Sequence, residues 1–363
     1  MRCLDLGRID GDGPCGQQVE GLLEALTGSP HVLLTNSGTA ALELALELHG
    51  VGPGHEVICP SFTFPSTANA VLRVGARPVF ADVSPATLCL DPDDVATLAS
   101  PATRAVIPVD YAGIGCDISE LRQVCPEGTS IIEDAAHGVG ALLNGRHLGV
   151  DADSAALSFH ASKNITSGEG GALMVPDDAL AKIAEVRREK GTNRAAFLRG
   201  EVDHYEWVDT GTSATLAEPL AAILLAQLAR VDELTDARRR LVSRYRSGLA
   251  AAFDDGWLRP LSPPANAQTN GHLFAVRARD LPARKALQAG LADVGIEAPI
   301  HFAPLHESAF AKNQLEPQRP LPVTTDAGAT LLRLPLFAEL SDESQDRVIE
   351  RILQLHAGAV LPR

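Results

Sequence analysis

Basic residues are scarce in this chain. Its 363 residues include 31 Lys and Arg against 46 Asp and Glu, a formal charge of −15 and a pI near 5.1. A nucleic-acid backbone is met by a broad excess of Lys and Arg, so this balance excludes nucleic acid as a partner. Any anionic small molecule must find a local basic patch. Cysteines occur without pattern: Cys3, Cys15, Cys59, Cys89, Cys116 and Cys125 form no C-x-x-C and have no histidine cluster beside them, which argues for reduced thiols and no metal centre. His301 and His306, five apart, do not share a helical face and add no metal pair. Long hydrophobic runs are missing too. The most apolar stretch, 216–228, is broken by Glu218, Pro219 and Gln227, and residues 1–10 lack the core of a signal peptide; the expectation is a cytoplasmic protein with no membrane contact. No G-x-G-x-x-G follows the first strand-like run, where the loop reads N-S-G-T-A-A, and this weighs against a dinucleotide-binding oxidoreductase.

What is present is an ordinary globular composition, 45% hydrophobic and 21% charged, with length enough for two domains. Short apolar runs at 31–35, 56–59, 78–83, 104–109 and 130–132 alternate with helical patterns at 19–26, 40–48, 66–74, 92–98 and 118–124. Alternation at this spacing predicts βαβ units, hence a mostly parallel sheet covered by helices, with ligands at the carboxyl ends of its strands. A helical stretch from Leu216 to about Ala252, bent near Thr235, leads into a smaller α+β domain with strands at 272–278 and 296–299 and helices at 283–294 and 343–355. The boundary is placed between residues 235 and 236.

The densest chemistry lies between 131 and 171. Asp134 closes the run 130–132, and Lys163 follows the run 155–159 and precedes Gly168, Gly170 and Gly171. A strand-end carboxylate and a strand-end lysine suit pyridoxal phosphate (PLP): the acid holds the pyridine nitrogen protonated, and the lysine binds the aldehyde as a Schiff base and shuttles protons. The same two residues could equally form a surface ion pair. Ser37-Gly38-Thr39 opens a helix where a phosphate is electrostatically favoured, although simple capping by Ser37 or Thr39 reads the same way. Phe62 and Phe64 lie past a strand end in a chain with 4% aromatics, as core packing or as a platform for a ring. Arg187, Arg188, Lys190 and Arg194 form the main basic cluster, which is either a solvated helix end or a phosphate anchor.

Taken together, S-G-T-A-A-L-E-L-A, P-G-H-E-V-I-C-P-S-F-T-F-P-S-T-A-N-A, I-P-V-D-Y-A-G, E-D-A-A-H-G, S-F-H-A-S-K-N, G-E-G-G-A, R-E-K-G-T-N-R, A-P-L-H and L-R-L-P-L-F resemble, in order and over nearly the whole chain, the nucleotide-sugar aminotransferases of the DegT/DnrJ/EryC/StrS family. The resemblance implies a fold-type-I PLP aminotransferase: an α/β large domain with a mostly parallel seven-stranded sheet, a C-terminal α+β domain, and a homodimer with shared sites. It implies Lys163 as the catalytic lysine, with Asp134 on the pyridine nitrogen, His137 near the phenolic oxygen and Phe64 stacked on the ring. Gly38, Thr39 and Ser158 would hold the phosphate, with Ser213 reaching it from the neighbouring subunit. Lys190, Asn193, Arg194, Tyr205 and His301 would meet substrate. Ser213 stands where relatives often have Asn, and the chain begins close to its G-D-G turn where relatives carry a longer arm. The implied reaction takes an amino group from L-glutamate to a nucleoside-diphosphate ketosugar. R-E-K-G-T-N-R and G-E-V-D-H-Y-E-W are similar to the blocks of enzymes that aminate C4 rather than C3, so a dTDP-linked 4-keto-6-deoxysugar is expected, with UDP-linked or 3-keto sugars as alternatives. Family dehydratases have histidine in place of Lys163. A PLP-binding regulator would need a DNA-binding module for which this acidic chain has no segment.

Overall fold

The computed structural model describes residue 7, residues 9–316 and residues 318–360; Cys3 lies outside them. Helix α1 (Pro14–Thr27) opens on a proline, whose missing N–H is no loss in a first turn, and ends at Gly28 in the left-handed conformation. Its first amides are held from far along the chain, because Glu218 accepts from the N–H groups of Cys15 at 2.9 Å and Gly16 at 2.7 Å. Strand β1 (His31–Thr35) leads into α2 (Gly38–Leu48). The pattern continues through β2 (Glu56–Pro60), α3 (Pro65–Arg73), β3 (Arg77–Ala81), α4 (Pro92–Leu98), β4 (Thr103–Val106), α5 (Ile118–Val124), β5 (Ser130–Asp134), β6 (Ser154–Ser158), β7 (Gly171–Val175) and α6 (Asp178–Arg188).

These strands form one seven-stranded sheet in the order β1-β7-β6-β5-β4-β2-β3. Strands β6, β5, β4, β2 and β3 pair in parallel, and β7 runs antiparallel to both its neighbours. Alternation along each strand divides the core. Val57, Cys59 and Ile132 pack beneath α2 and α3, while Ile58, Val106 and Ile131 face the opposite layer with Phe62 and Tyr111. Every residue of β6 and β7 is buried, as expected of strands covered on both faces. The carboxyl ends of β1, β2, β5 and β6 therefore meet along one edge, and the antiparallel β7 starts there with Gly171.

The chain then runs through α7 (Glu218–Leu228) and α8 (Val231–Gly248) into the smaller unit, an antiparallel sheet of β8 (Leu258–Pro260), β9 (Phe274–Ala278) and β10 (Leu331–Leu334) with α9 (Leu281–Ala292), α10 (Pro322–Thr330) and α11 (Asp342–Val360). Two expectations are corrected. The helical stretch breaks at Ala229 and Arg230, where φ reaches −118°, and not near Thr235. Thr235 is buried against Gly140, and that packing keeps its turn helical. Residues 296–299 form no strand, since Pro299 has no N–H to donate to a ladder. Its carbonyl instead accepts from Arg333 at 2.9 Å, and 331–334 supplies the third strand. Among the described residues no helix is long and apolar enough to cross a membrane.

Candidate active site

Asp134 ends β5 fully inside the protein. Its Oδ2 accepts from Thr67 Oγ1 at 2.8 Å and its Oδ1 from the Ala136 N–H at 3.3 Å, and Thr67 shares a second hydrogen bond of 2.8 Å with Thr63. Burial pushes the carboxyl above its usual range, with the Thr67 hydrogen bond and the charge of Lys163 opposing. Lys163 sits on the loop from β6 to β7. That loop is closed on itself by Phe159 N–H to Gly170 O and Ala161 N–H to Gly168 O, both 2.8 Å, and by Lys163 N–H to His160 O at 2.9 Å. Burial drives the Lys163 amine down to about 8, Asp134 pulling it back and Arg333 adding to the fall.

The two residues line one cavity of about 440 Å³ at the convergent strand ends. At one side the N-terminus of α2 enters it. Ser37 Oγ accepts from the Ala40 N–H at 3.1 Å, so Ser37 is a cap, while Thr39 donates to Ser66 Oγ at 2.8 Å, and Gly38 and Thr39 of the first turn line the cavity. Gly171 makes this arrangement possible, since a Cβ there would lie 2.3 Å from the Ser37 carbonyl carbon. Phe62 and Phe64 divide between the two roles open to them: Phe62 is buried edge-on to Tyr111 at 5.1 Å, whereas Phe64 lines the cavity with 61% of its surface exposed.

Opposite stand three histidines. His137 stacks on His272 at 4.0 Å, and because the Ala112 N–H donates to His137 Nδ1 at 3.3 Å, the imidazole proton resides on Nε2. Burial lowers the pKa of His137 and His272 well below the usual range and that of His301 to about 3. His301 Nδ1 shares a hydrogen bond of 3.0 Å with Tyr111 Oη, whose own proton is held by burial. The imidazoles are thus neutral polar groups, and the cations lining this space are Lys163 and Arg333.

Of the residues singled out in the sequence, Gly38, Thr39, Phe64, Asp134, His137, Ser158, Lys163 and His301 all line this cavity. Lys190, Asn193, Arg194, Tyr205 and Ser213 do not. They lie on the segment after α6, where Lys190 pairs with Glu189, Arg194 with Asp10, and Asn193 bonds the backbone of His204 and Glu206. The Ser213 carbonyl accepts from Asn36 Nδ2 at 3.3 Å. The basic cluster itself is split: Arg188 is buried between Asp12, Glu20 and the Leu34 carbonyl, and Arg187 binds Asp209 and the Glu47 carbonyl, so neither guanidinium is free to anchor a phosphate. Thr67, His272 and Arg333 belong to the site and escaped notice. The T of P-S-T-A-N-A and the R of L-R-L-P-L-F lay within quoted blocks, yet no spacing pointed to them.

The donor set fits PLP. A buried carboxylate with a raised pKa has no ion pair among the described residues, a place that a protonated pyridine nitrogen would fill; an exposed aromatic face offers a ring platform; helix amides and hydroxyls offer a phosphate site; and a neutralisable amine lines the same cavity. A model of the DegT/DnrJ/EryC1/StrS aminotransferase family matches residues 1–353. The chain is similar to the solved structure of the aminotransferase TlmJ from Streptoalloteichus hindustanus, with 31% identity over 99% of this chain and 95% of that one and a TM-score of 0.90. It is also similar to DesV of S. venezuelae in complex with a ketimine intermediate, with 32% identity, 100% and 93% coverage and a TM-score of 0.89. NtdA from Bacillus subtilis with bound cofactor PMP matches at 28% identity, 98% and 79% coverage and a TM-score of 0.88.

Proposed function

Because this chain belongs to the DegT/DnrJ/EryC1/StrS aminotransferase family, whose members are PLP-dependent, we propose that it moves the amino group of L-glutamate, in two alternating half-reactions, to C4 of a nucleoside-diphosphate 4-keto-6-deoxysugar. The dTDP-linked sugar is favoured, with a dTDP-4-amino-4,6-dideoxyhexose as product. The observation that carries the reading is buried Asp134 and Lys163 sharing one cavity, the lysine titrating at about 8. Bound PLP supplies an electron sink for the carbon that loses its proton.

The chain's own residues do the rest. Asp134, fixed by Thr67 and Ala136, keeps a proton on the ring nitrogen. Lys163 Nζ takes the proton from the donor's carbon and later delivers one to the sugar carbon. At pH 7 an amine of pKa about 8 is free in roughly a tenth of molecules, against fewer than about one in a thousand at the ordinary value of about 10.4. Neutral His137 and His301 offer hydrogen bonds without adding charge that would repel Lys163. Lys190 and Arg194 are paired only at the surface, where an ion pair contributes about 0–1 kcal/mol, so a diphosphate can displace Glu189 and Asp10 from them.

Phosphates anchored on that segment set how far the sugar reaches toward the cofactor, and reacting geometry tolerates about an ångström of error before rates fall about a hundredfold. Turnover with glutamate and a panel of 4-keto and 3-keto dTDP- and UDP-sugars, with products identified by NMR, should give an amine at C4. An amine at C3, or no turnover of any 4-ketosugar, overturns the assignment.

The proposal includes a homodimer in which this segment, with Ser213, faces the neighbouring site. Trp207 is 76% exposed and Leu198 64%, beside exposed Tyr205 and Val208, an apolar patch that a second copy would cover. Sedimentation equilibrium should give a dimer. A fully active monomer refutes it.

A further inference from the structure

Beside Asp134 lie two carboxyl groups that the reaction does not use. Asp110 follows β4 and Glu133 precedes Asp134 on β5; alternation along the strand turns Glu133 away from the cavity, and the two residues are 0% and 2% exposed. Their side chains hydrogen-bond to each other. Two carboxylates are both acceptors, so such a bond needs a proton between them. Asp110 carries it, because burial and the charge of Glu133 hold its pKa well above the usual range, and its Oδ2 is met by no N–H or O–H donor. The groups facing the pair are Cys89 from the segment after β3, Cys116, Asp134 and Asp151, none of them a cation.

Around this pair the chain is drawn tight. The Asp110 N–H donates to the Asp134 carbonyl at 3.2 Å and the Asp134 N–H to the Pro108 carbonyl at 2.8 Å. Asp110 Oδ1 accepts from the Cys116 N–H at 3.2 Å, so one carboxyl spans the loop 110–116 from end to end. Inside that loop Ala112 stands at φ 63°, a left-handed conformation that a residue with a Cβ holds only where its surroundings impose it. The same Ala112 gives its N–H to His137 Nδ1 at 3.3 Å, and Tyr111 before it shares the 3.0 Å hydrogen bond with His301.

We propose that Asp110 and Glu133 are a positioning pair: a proton-bridged carboxyl clasp, outside the cavity, that holds loop 110–116 in its strained form and thereby fixes His137 as the Nε2–H tautomer and His301 against Tyr111. The pair's value for turnover rests on the transaminase reading above. An imidazole fixed with its proton on Nε2 is a donor for an acceptor on the bound ring, such as a phenolate oxygen, whereas a mixture of tautomers would present a lone pair in part of the molecules. One shared proton also leaves a single negative charge beside Asp134, where two would repel its carboxylate. Neither carboxyl lines the cavity, so loss of the clasp should slow turnover without changing what binds.

Asp110→Asn keeps the clasp, since its carbonyl still accepts from Cys116 and its NH2 donates to Glu133 in place of the proton; Asp110→Ala opens it. Where Asp110→Ala does not fold, Glu133→Leu, which keeps the volume but not the acceptor, takes its place. In cofactor-free protein, nitrogen–proton NMR of the histidine rings, with His137 assigned by its loss in His137→Gln, should show one Nε2–H tautomer in the unaltered protein and in Asp110→Asn, and a mixture in the opened variant. With PLP-loaded enzyme the opened variant should lose about tenfold in kcat and Asp110→Asn less than about threefold, the KM values for glutamate and ketosugar staying within about threefold in both. Stability against pH tests the shared proton by itself. Unfolded carboxyls give up their protons near about pH 4, whereas the folded pair keeps one, so the unaltered protein loses stability as pH rises above that value and Asp110→Asn does not. The folding equilibrium constant of Asp110→Asn relative to the unaltered protein should therefore rise about tenfold per pH unit between about pH 6 and about pH 7.5. A ratio that does not change with pH overturns the shared proton; an unchanged His137 tautomer in the opened variant, or a loss that falls on KM, overturns the positioning role. If the unaltered enzyme transfers no amino group, it is the transaminase reading that fails, and the tautomer and stability results still decide the clasp.

Discussion

Lys163→Ala should lose both half-reactions by at least about a thousandfold while keeping its fold, because in the proposed mechanism proton transfer at two carbons runs through one Nζ, the lysine amine that lines the cavity. The imidazoles are the obvious substitutes, but His301 titrates at about 3 and sits against Tyr111, and His137 has its Nδ1 occupied by the Ala112 N–H. Either is too weak a base to take over near neutrality. The pH dependence gives a second signature. In amine-loaded enzyme the base form is the free lysine, so the rate with ketosugar should rise with pH through about 8 and level off above it; were the ammonium the active form, the rate would fall over the same range. Stopped-flow measurement of each half-reaction, with circular dichroism as the control for folding, decides the matter. Retention of more than about a tenth of the rate removes Lys163 from its role.

Asp134→Asn carries the next largest effect, a drop of at least about a hundredfold in transamination with stability changed by less than about 1 kcal/mol. The two numbers separate because the surroundings accept an amide. The Asn carbonyl can still take the Ala136 N–H, and its NH2 can donate to Thr67, whose hydroxyl can turn toward Thr63. Burial already disfavours the carboxylate, so removing its charge relieves desolvation. What the amide cannot do is hold a pyridine nitrogen protonated. Activity within about threefold of the unaltered enzyme would exclude the role, and a large loss of thermal stability would reassign Asp134 as structural.

The proposed catalytic pair could be picked out of the sequence because Asp134 closes a short apolar run and Lys163 follows another in a contiguous stretch, and the α2 loop, the proposed phosphate site, could be picked out because such sites at helix N-termini need small residues in an order that survives in one dimension. His272 and Arg333 follow a different logic. They come from the smaller unit and meet Lys163 only when β10 packs beside β9, a pairing hidden by the mistaken strand at 296–299. Arg188 is the converse case. Its charge was plain, but its burial depends on Asp12 and Glu20, more than 160 residues earlier, and so could not be seen from the basic run around it.

The loop that bears Lys163 is buckled shut at both ends, by Phe159 to Gly170 and Ala161 to Gly168. Its Cα is consequently a fixed pivot, and all travel of the amine falls to four methylenes, whose rotamers interchange far faster than any backbone rearrangement. A short flexible arm on a rigid post can serve two partners of different size by swinging, with no lid or hinge needed to carry the base from one to the other. Stiffness in the chain and freedom in the side chain are in this way divided at a single bond, Cα–Cβ of Lys163.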